Sequence, residues 1–135
     1  MPDPISLKKA FLSLEKAISI TQQRHTHIIS NIGNLDTPNY RGKDIDFKAA
    51  LARALESDQE IHLTKTNPRH IDLGGNSAHR VEPFEEQGQW NGYNWVNIDK
   101  EMTKLIENNL MYRTTVETFL RKIAILKEVI REGGR

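Results

Sequence analysis

A chain of 135 residues holds enough sequence for one domain. Its 19 Lys+Arg against 18 Asp+Glu give a net charge of +1, which supplies no global pull toward nucleic acid or anionic lipid. There is no cysteine, which excludes disulfides, thiolate metal sites, iron–sulfur clusters and cysteine nucleophiles together. No run approaches the ~20 consecutive apolar residues of a membrane span. Met1-Pro2-Asp3-Pro4 lacks the basic run and apolar core of a cleavable signal. The expectation is a soluble chain without direct membrane insertion, whose export would use a route that reads no such signal.

From Leu7 onward apolar residues recur at spacings of four and three: Leu7, Phe11, Leu14, Ile18, then Thr21 and His25, then Ile28, Ile32 and Leu35. Seven of these nine are apolar, the heptad seam of a coiled coil, and they predict an N-terminal helix over 5–36. Ser6 is its expected N-cap. Pro38 closes it, because the residue before a proline is pushed to extended geometry.

Residues 37–57 read as an outgoing arm, with Ile45, Phe47, Leu51 and Leu55 marking a possible short helix. The segment 58–97 is different in kind: eleven of its forty residues are apolar or aromatic and four are glycine. Loops or small hairpins are expected there. Ile61-His62-Leu63-Thr64 and Val81-Glu82-Pro83-Phe84 are candidate strands, and Gly74-Gly75-Asn76 and Asn91-Gly92 are turn signals.

The C-terminal part, 98–132, repeats the helical seam more cleanly through Ile98, Met102, Leu105, Asn109, Tyr112, Val116, Phe119, Ile123, Leu126 and Ile130. Nine of these ten are apolar, where composition alone would give roughly four, so a second long helix is expected. Asp99 and Glu101 in its first turn and Lys127 and Arg131 in its last suit the helix dipole. The fold class is mainly α: two long amphipathic terminal helices in coiled-coil-like packing, around a small loop- and β-rich middle. Leu12, Ile20, Ile29, Ile106 and Leu110 widen both stripes beyond a two-stranded seam. A lone hairpin of two helices leaves that excess uncovered, so neighbouring subunits are expected to cover it, with folding and binding coupled.

The sequence carries no catalytic constellation. His25 and His27 are two apart on a helix and face different ways; His62, His70 and His79 are scattered through the middle. No cofactor or metal site is expected, and the chain does not read as an enzyme. Asp44 and Asp46 would share one face of an extended segment; without a partner histidine they read as an exposed polar face opposite Ile45 and Phe47. Trp90, Tyr93 and Trp95 lack the basic surround of a nucleic-acid platform, so they read as anchors for the loop on the C-terminal helix or on a neighbour.

One string is far more specific. Ser30-Asn31-Ile32-Gly33-Asn34-Leu35-Asp36-Thr37-Pro38-Asn39-Tyr40-Arg41, followed by Asp44-Ile45-Asp46-Phe47, closely resembles the signature of the bacterial flagellar rod and hook axial proteins. Asn97-Ile98-Asp99-Lys100-Glu101-Met102 and Leu105 to Tyr112 are similar to the start of that family's C-terminal helix. The match departs at Gly33 and Leu35, where alanines are usual, and at Asn39, where glycine is usual. Read from the residues alone, Asn31 and Asn34 are placed to satisfy the carbonyls at the end of the first helix or the following turn, while Tyr40 and Phe47 are apolar anchors on the arm.

The resemblance implies a structural subunit of the periplasm-spanning basal-body rod, the drive shaft for motility. Its partners would be other flagellar rod subunits, the rod-to-ring adaptor and the flagellar type III export apparatus. It also assigns Asn31, Asn34, Thr37, Pro38, Tyr40, Arg41, Asp44, Asp46 and Phe47 as the rod signature. Leu7, Phe11, Leu14, Ile18, Ile28, Ile32, Met102, Leu105, Tyr112, Val116, Phe119, Ile123, Leu126 and Ile130 are the expected assembly seam. The alternative is a helical adaptor or chaperone that binds a partner helix without polymerising.

Overall fold

The computed structural model describes residues 4–57 and 81–134. Three helices carry the fold: α1 (Pro4–Gly33), α2 (Phe47–Ser57) and α3 (Ile98–Gly133). Between them β1 (Lys43–Asp44) and β2 (Phe84–Glu85) pair antiparallel, Lys43 opposite Glu85 and Asp44 opposite Phe84. Helix α1 begins at Pro4, two residues ahead of the expected cap at Ser6. Proline is at home in a first helical turn, where its missing N–H would have had no partner. Asn97 caps α3, its Oδ1 accepting from the N–H of Asp99 and Lys100 at 2.9 and 3.2 Å.

The two long helices run antiparallel along each other. Phe11 meets Phe119 edge-on with ring centroids 5.5 Å apart, the Asn108 amide donates to the Thr21 carbonyl, and Asn31 reaches Glu101. This register sets Leu126 level with Pro4, so the last two turns of α3 project past the start of α1.

A two-helix hairpin with no third layer, the monomer the seam arithmetic allows, is not what forms. Helix α2 packs on the other flank of α1, where Ile20, Ile45, Ala50 and Ala54 are buried with Phe47, Leu51 and Val81 against them. The alanines of α2 let its backbone approach α1 closely, and Ile20 is core rather than surplus surface. The strand expected over Val81–Phe84 is displaced to Phe84–Glu85, because Pro83 has no N–H to give a ladder. The Ile61–Thr64 strand, the Gly74-Gly75-Asn76 turn, His62, His70 and His79 lie outside the described residues.

Candidate assembly interface

The rod-signature string folds into a tight knot where α1, the arm and α3 meet. Asn31, fully buried, makes four hydrogen bonds. Its Nδ2 donates to the Lys43 carbonyl and to Glu101 Oε2, both at 2.9 Å, while its Oδ1 accepts from the Lys43 N–H at 2.9 Å and the Tyr40 hydroxyl at 3.3 Å. It therefore fastens the returning arm to α3, and serves neither the end of its own helix nor the turn that follows it, the two roles its position in the sequence suggests. Asn34 does serve the helix end: its Nδ2 donates to the Ser30 carbonyl at 2.8 Å, and its Oδ1 accepts from the Thr37 hydroxyl. Asn39 sits at φ +58°, the left-handed region that glycine enters freely and asparagine tolerates, which accounts for asparagine replacing the usual glycine.

Beneath Asn31 lies a buried charge cluster. Arg24 grips Asp44 with two bonds of 2.8 and 2.9 Å. Lys104 meets Glu86 at 2.5 Å, Glu101 at 2.7 Å and Asp44 at 3.8 Å. Asp44 is thus an interior ion-pair partner, not part of an exposed polar face. Asp46 alone faces solvent, where it accepts from the Ala49 N–H at the start of α2. Burial works to raise the Asp44 pKa, but the Arg24 hydrogen bond, the Ile45 N–H and the Arg24 and Lys104 charges outweigh it and hold the carboxyl below its ordinary value. Burial likewise acts to lower Lys104, and its bonds to Glu101 and Glu86 reverse the sign. The Asp44 bond raises Arg24 against its own desolvation. Each charge in the cluster therefore has an opposite charge within reach.

The aromatic loop docks on the signature. The Asn39 N–H donates to the Tyr93 carbonyl and the Trp95 N–H to the Tyr40 carbonyl, both at 3.0 Å. The Tyr93 hydroxyl donates to the Asp36 carbonyl, and buried Asn94 donates to the Leu35 carbonyl. The Arg41 guanidinium lies 4.7 Å over the Trp95 ring, which stands 5.3 Å from Trp90. Gly88 is required here, since a Cβ on it would come within 2.1 Å of the Trp95 carbonyl oxygen.

The seam residues divide along α3. Val116, Phe119, Ile123 and Leu126 of α3 are half-buried, as are Leu7, Phe11, Leu14, Ile18 and Ile32 of α1; Ile28 is fully buried. Nearer the start of α3 the face turned to α1 is instead Glu101, Lys104, Asn108 and Met111, and Leu105 is only half covered. Met102 is 44% exposed and Ile130 67%, with Ile98 and Tyr112 also exposed. The flanking Ile29, Ile106 and Leu110 are open to solvent, the last two at 66%. A strict heptad drifts about 20° per repeat on a straight helix, so one seam cannot face α1 along the whole of α3. Thr21 and His25 of α1 and Asn109 of α3, the polar breaks in the two seams, face one another across a cleft of about 330 Å³. Among the described residues no group of His, Asp and Glu is arranged to hold a metal, and no helix is long and apolar enough to cross a membrane.

Comparison with known proteins decides what this arrangement belongs to. The chain is 34% identical over 123 residues to the flagellar basal body rod protein FlgB of Bacillus subtilis, a match spanning 90% of this chain and 92% of that one. It belongs to the FlgB family of flagellar basal body rod proteins. The FlgB of Aeromonas hydrophila is 31% identical over 94% of this chain and 96% of its own, and that of Yersinia enterocolitica 30% over 88% and 91%. No protein-family model matches the chain. This FlgB-family chain is a structural subunit of the basal-body rod. The residues that hold its signature in place, Arg24, Glu86, Asn94, Glu101 and Lys104, were not singled out as site residues by the sequence reading. The signal available for them was slight: Glu101 and Lys104 stand one turn apart on the N-terminal part of α3, off the apolar seam.

Proposed function

We propose that this subunit polymerises through its two terminal helices, with each copy offering its uncovered α3 stripe to neighbours and keeping its signature knot as a rigid internal joint. The observation that carries the reading is the exposure of Ile98, Met102, Ile106 and Leu110 along one side of α3 in a chain that already has a packed interior. An exposed apolar row of this kind is what a helix-to-helix contact covers. Assembly with other rod components follows from the family. The finer partners, the rod-to-ring adaptor and the type III export apparatus, rest on the signature alone. Assembly would then stiffen the rod by covering these faces, with torque shared among many interdigitated contacts.

Ile106→Asp and Leu110→Asp test this, because both positions are open in the single chain. The expected outcome is an unchanged circular dichroism spectrum with loss of rods and of swimming. Normal swimming in either variant would overturn the role given to this face. Sedimentation with rod partners separates the adaptor alternative: a rod subunit keeps growing, whereas an adaptor stops at a fixed stoichiometry.

A further inference from the structure

The aromatic loop is closed on one amide. Asn91 makes four side-chain hydrogen bonds: its Nδ2 donates to Asn94 Oδ1 at 3.0 Å and to the Val96 carbonyl at 3.2 Å, while its Oδ1 accepts from the Tyr93 and Asn94 N–H groups at 2.9 and 2.8 Å. The two donated bonds rule out aspartate at this position, since an ionised carboxylate only accepts. The next residue is equally constrained. Gly92 sits at φ +96°, a conformation that costs glycine little and a residue with a Cβ much more. The shape of the loop therefore calls for asparagine followed by glycine, and Asn91-Gly92 is the sole such pair in the chain.

That pair has a chemistry of its own. With no Cβ on Gly92, its backbone nitrogen can approach the side-chain carbonyl before it unhindered, and nothing lies within 4 Å of the place a Cβ would take. Once that nitrogen gives its proton to solvent, it can bond to Asn91 Cγ. The Cγ–Nδ2 bond then breaks and Nδ2 leaves, protonated, as ammonia. Water opens the cyclic imide at Cγ to give aspartate, or at the Asn91 main-chain carbonyl carbon to give isoaspartate. One amide and one water are consumed, one carboxylate and one ammonium are formed, and nothing is oxidised or reduced.

The native loop opposes this sequence. Expelling Nδ2 breaks its bonds to Asn94 and Val96, and four partners around the amide keep Cγ from turning onto the Gly92 nitrogen. The two N–H groups on Oδ1 would favour a developing oxyanion were the amide free to turn, but the bonds on Nδ2 hold it still. We propose that Asn91 is a spontaneous deamidation site that the folded loop closes and an unfolded chain leaves open, and that the product cannot rebuild the loop's seat on the signature. A carboxylate at 91 sets acceptor against acceptor at Asn94 Oδ1 and the Val96 carbonyl. Asn94 is the residue whose amide reaches the Leu35 carbonyl, so the disturbance passes directly to the signature string. A chain left unfolded is thereby marked, by its own chemistry, as unable to take the native form of this loop.

Trypsin cutting after Arg80 and Lys100 places Asn91, Asn94 and Asn97 in one peptide, so the other two amides are internal controls. The purified full chain is incubated in mildly alkaline buffer, with and without unfolding guanidinium chloride, and conversion in that peptide is followed by mass spectrometry. In denaturant, conversion should fall chiefly on Asn91. In the native chain it should be at least roughly tenfold slower at Asn91, because reaction there waits on opening of the loop. Equal rates in the two conditions, a faster rate in the native chain, or conversion spread evenly over the three asparagines in denaturant would each overturn the proposal. Asn91→Asp reads the consequence. Compared with Gln87→Glu, which adds an acid on an exposed part of the same loop, it should lose the near-ultraviolet signal of Trp90 and Trp95. A wild-type signal in Asn91→Asp would overturn the claim that the product cannot rebuild the loop.

Discussion

The two ends of the α1–α3 pair are built on opposite principles. At the signature end polar groups dominate: Asn31, Arg24, Asp44, Glu101, Lys104 and Glu86 meet in one network beside the buried Ile28, and Ile98, Met102 and Ile106 of α3 are turned outward. At the far end Phe11 and Phe119 make an ordinary apolar contact, and the last turns of α3 run on with nothing from α1 beside them. A buried polar network contributes less net stability than apolar packing of the same volume, but it tolerates only one arrangement of its members. The comparison teaches that this chain spends its polar groups on fixing the shape of the arm. Much of the apolar surface at the start and end of α3 stays outside.

The sharpest way to break the contrast is Asp44→Ala. It strands Arg24 beside an uncompensated gap, while Lys104 keeps Glu86 and Glu101; loss of a partner from a buried pair costs about 3–5 kcal/mol, read as a lower denaturation midpoint in urea. Asn31→Ala comes next: four hydrogen bonds are lost, and about 2–3 kcal/mol of stability should go with them. Gly88→Ala forces the 86–95 loop away from the Trp95 carbonyl; about 1–3 kcal/mol and a changed near-ultraviolet signal from Trp90 and Trp95 are expected. Acid titration sharpens the same point. The Asp44 pKa is lowered from 3.8, so its contribution is complete above that value and is lost as pH falls through the lower folded-state value. Lys104, raised from 10.5, contributes fully below that value and loses its share only as pH climbs past it. Stability should thus be flat in this cluster across the neutral range and fall in acid, and Asp44→Ala should flatten the acid limb. The smallest effect belongs to the other end: Val129→Ser should move the stability of the free chain by no more than about 0.5 kcal/mol.

The two long helices were legible because heptad spacing survives in each: Leu7 to Leu35 and Ile98 to Ile130 mark helices whose ends the structure moves by only a few residues. The flagellar rod family was legible from the string around Asn31-x-x-Asn34 and Thr37-Pro38. What the pattern could not give was the direction each helix turns. Apolar periodicity finds a stripe and is silent on whether a helix of the same chain or a neighbour covers it. On the first half of α3 the inward face is Glu101, Lys104 and Asn108, residues that hydropathy scores as surface. Asp44 was misread for the same reason: an isolated carboxylate is usually solvated, and only the fold brings Arg24 to it from twenty residues away. Helix α2 was half visible because Ala50 and Ala54, too small to mark a stripe, make its contact with α1.

The central claim is that the outer apolar faces of α3 exist for neighbouring molecules. Solvent labelling of α3 side chains, compared residue by residue between dilute free chain and isolated rods, tests it most directly. Met102, Tyr112 and Ile130 should label readily in free chain and become protected on assembly, while Phe119 changes little. Equal labelling of Met102 and Ile130 in both states would contradict the claim.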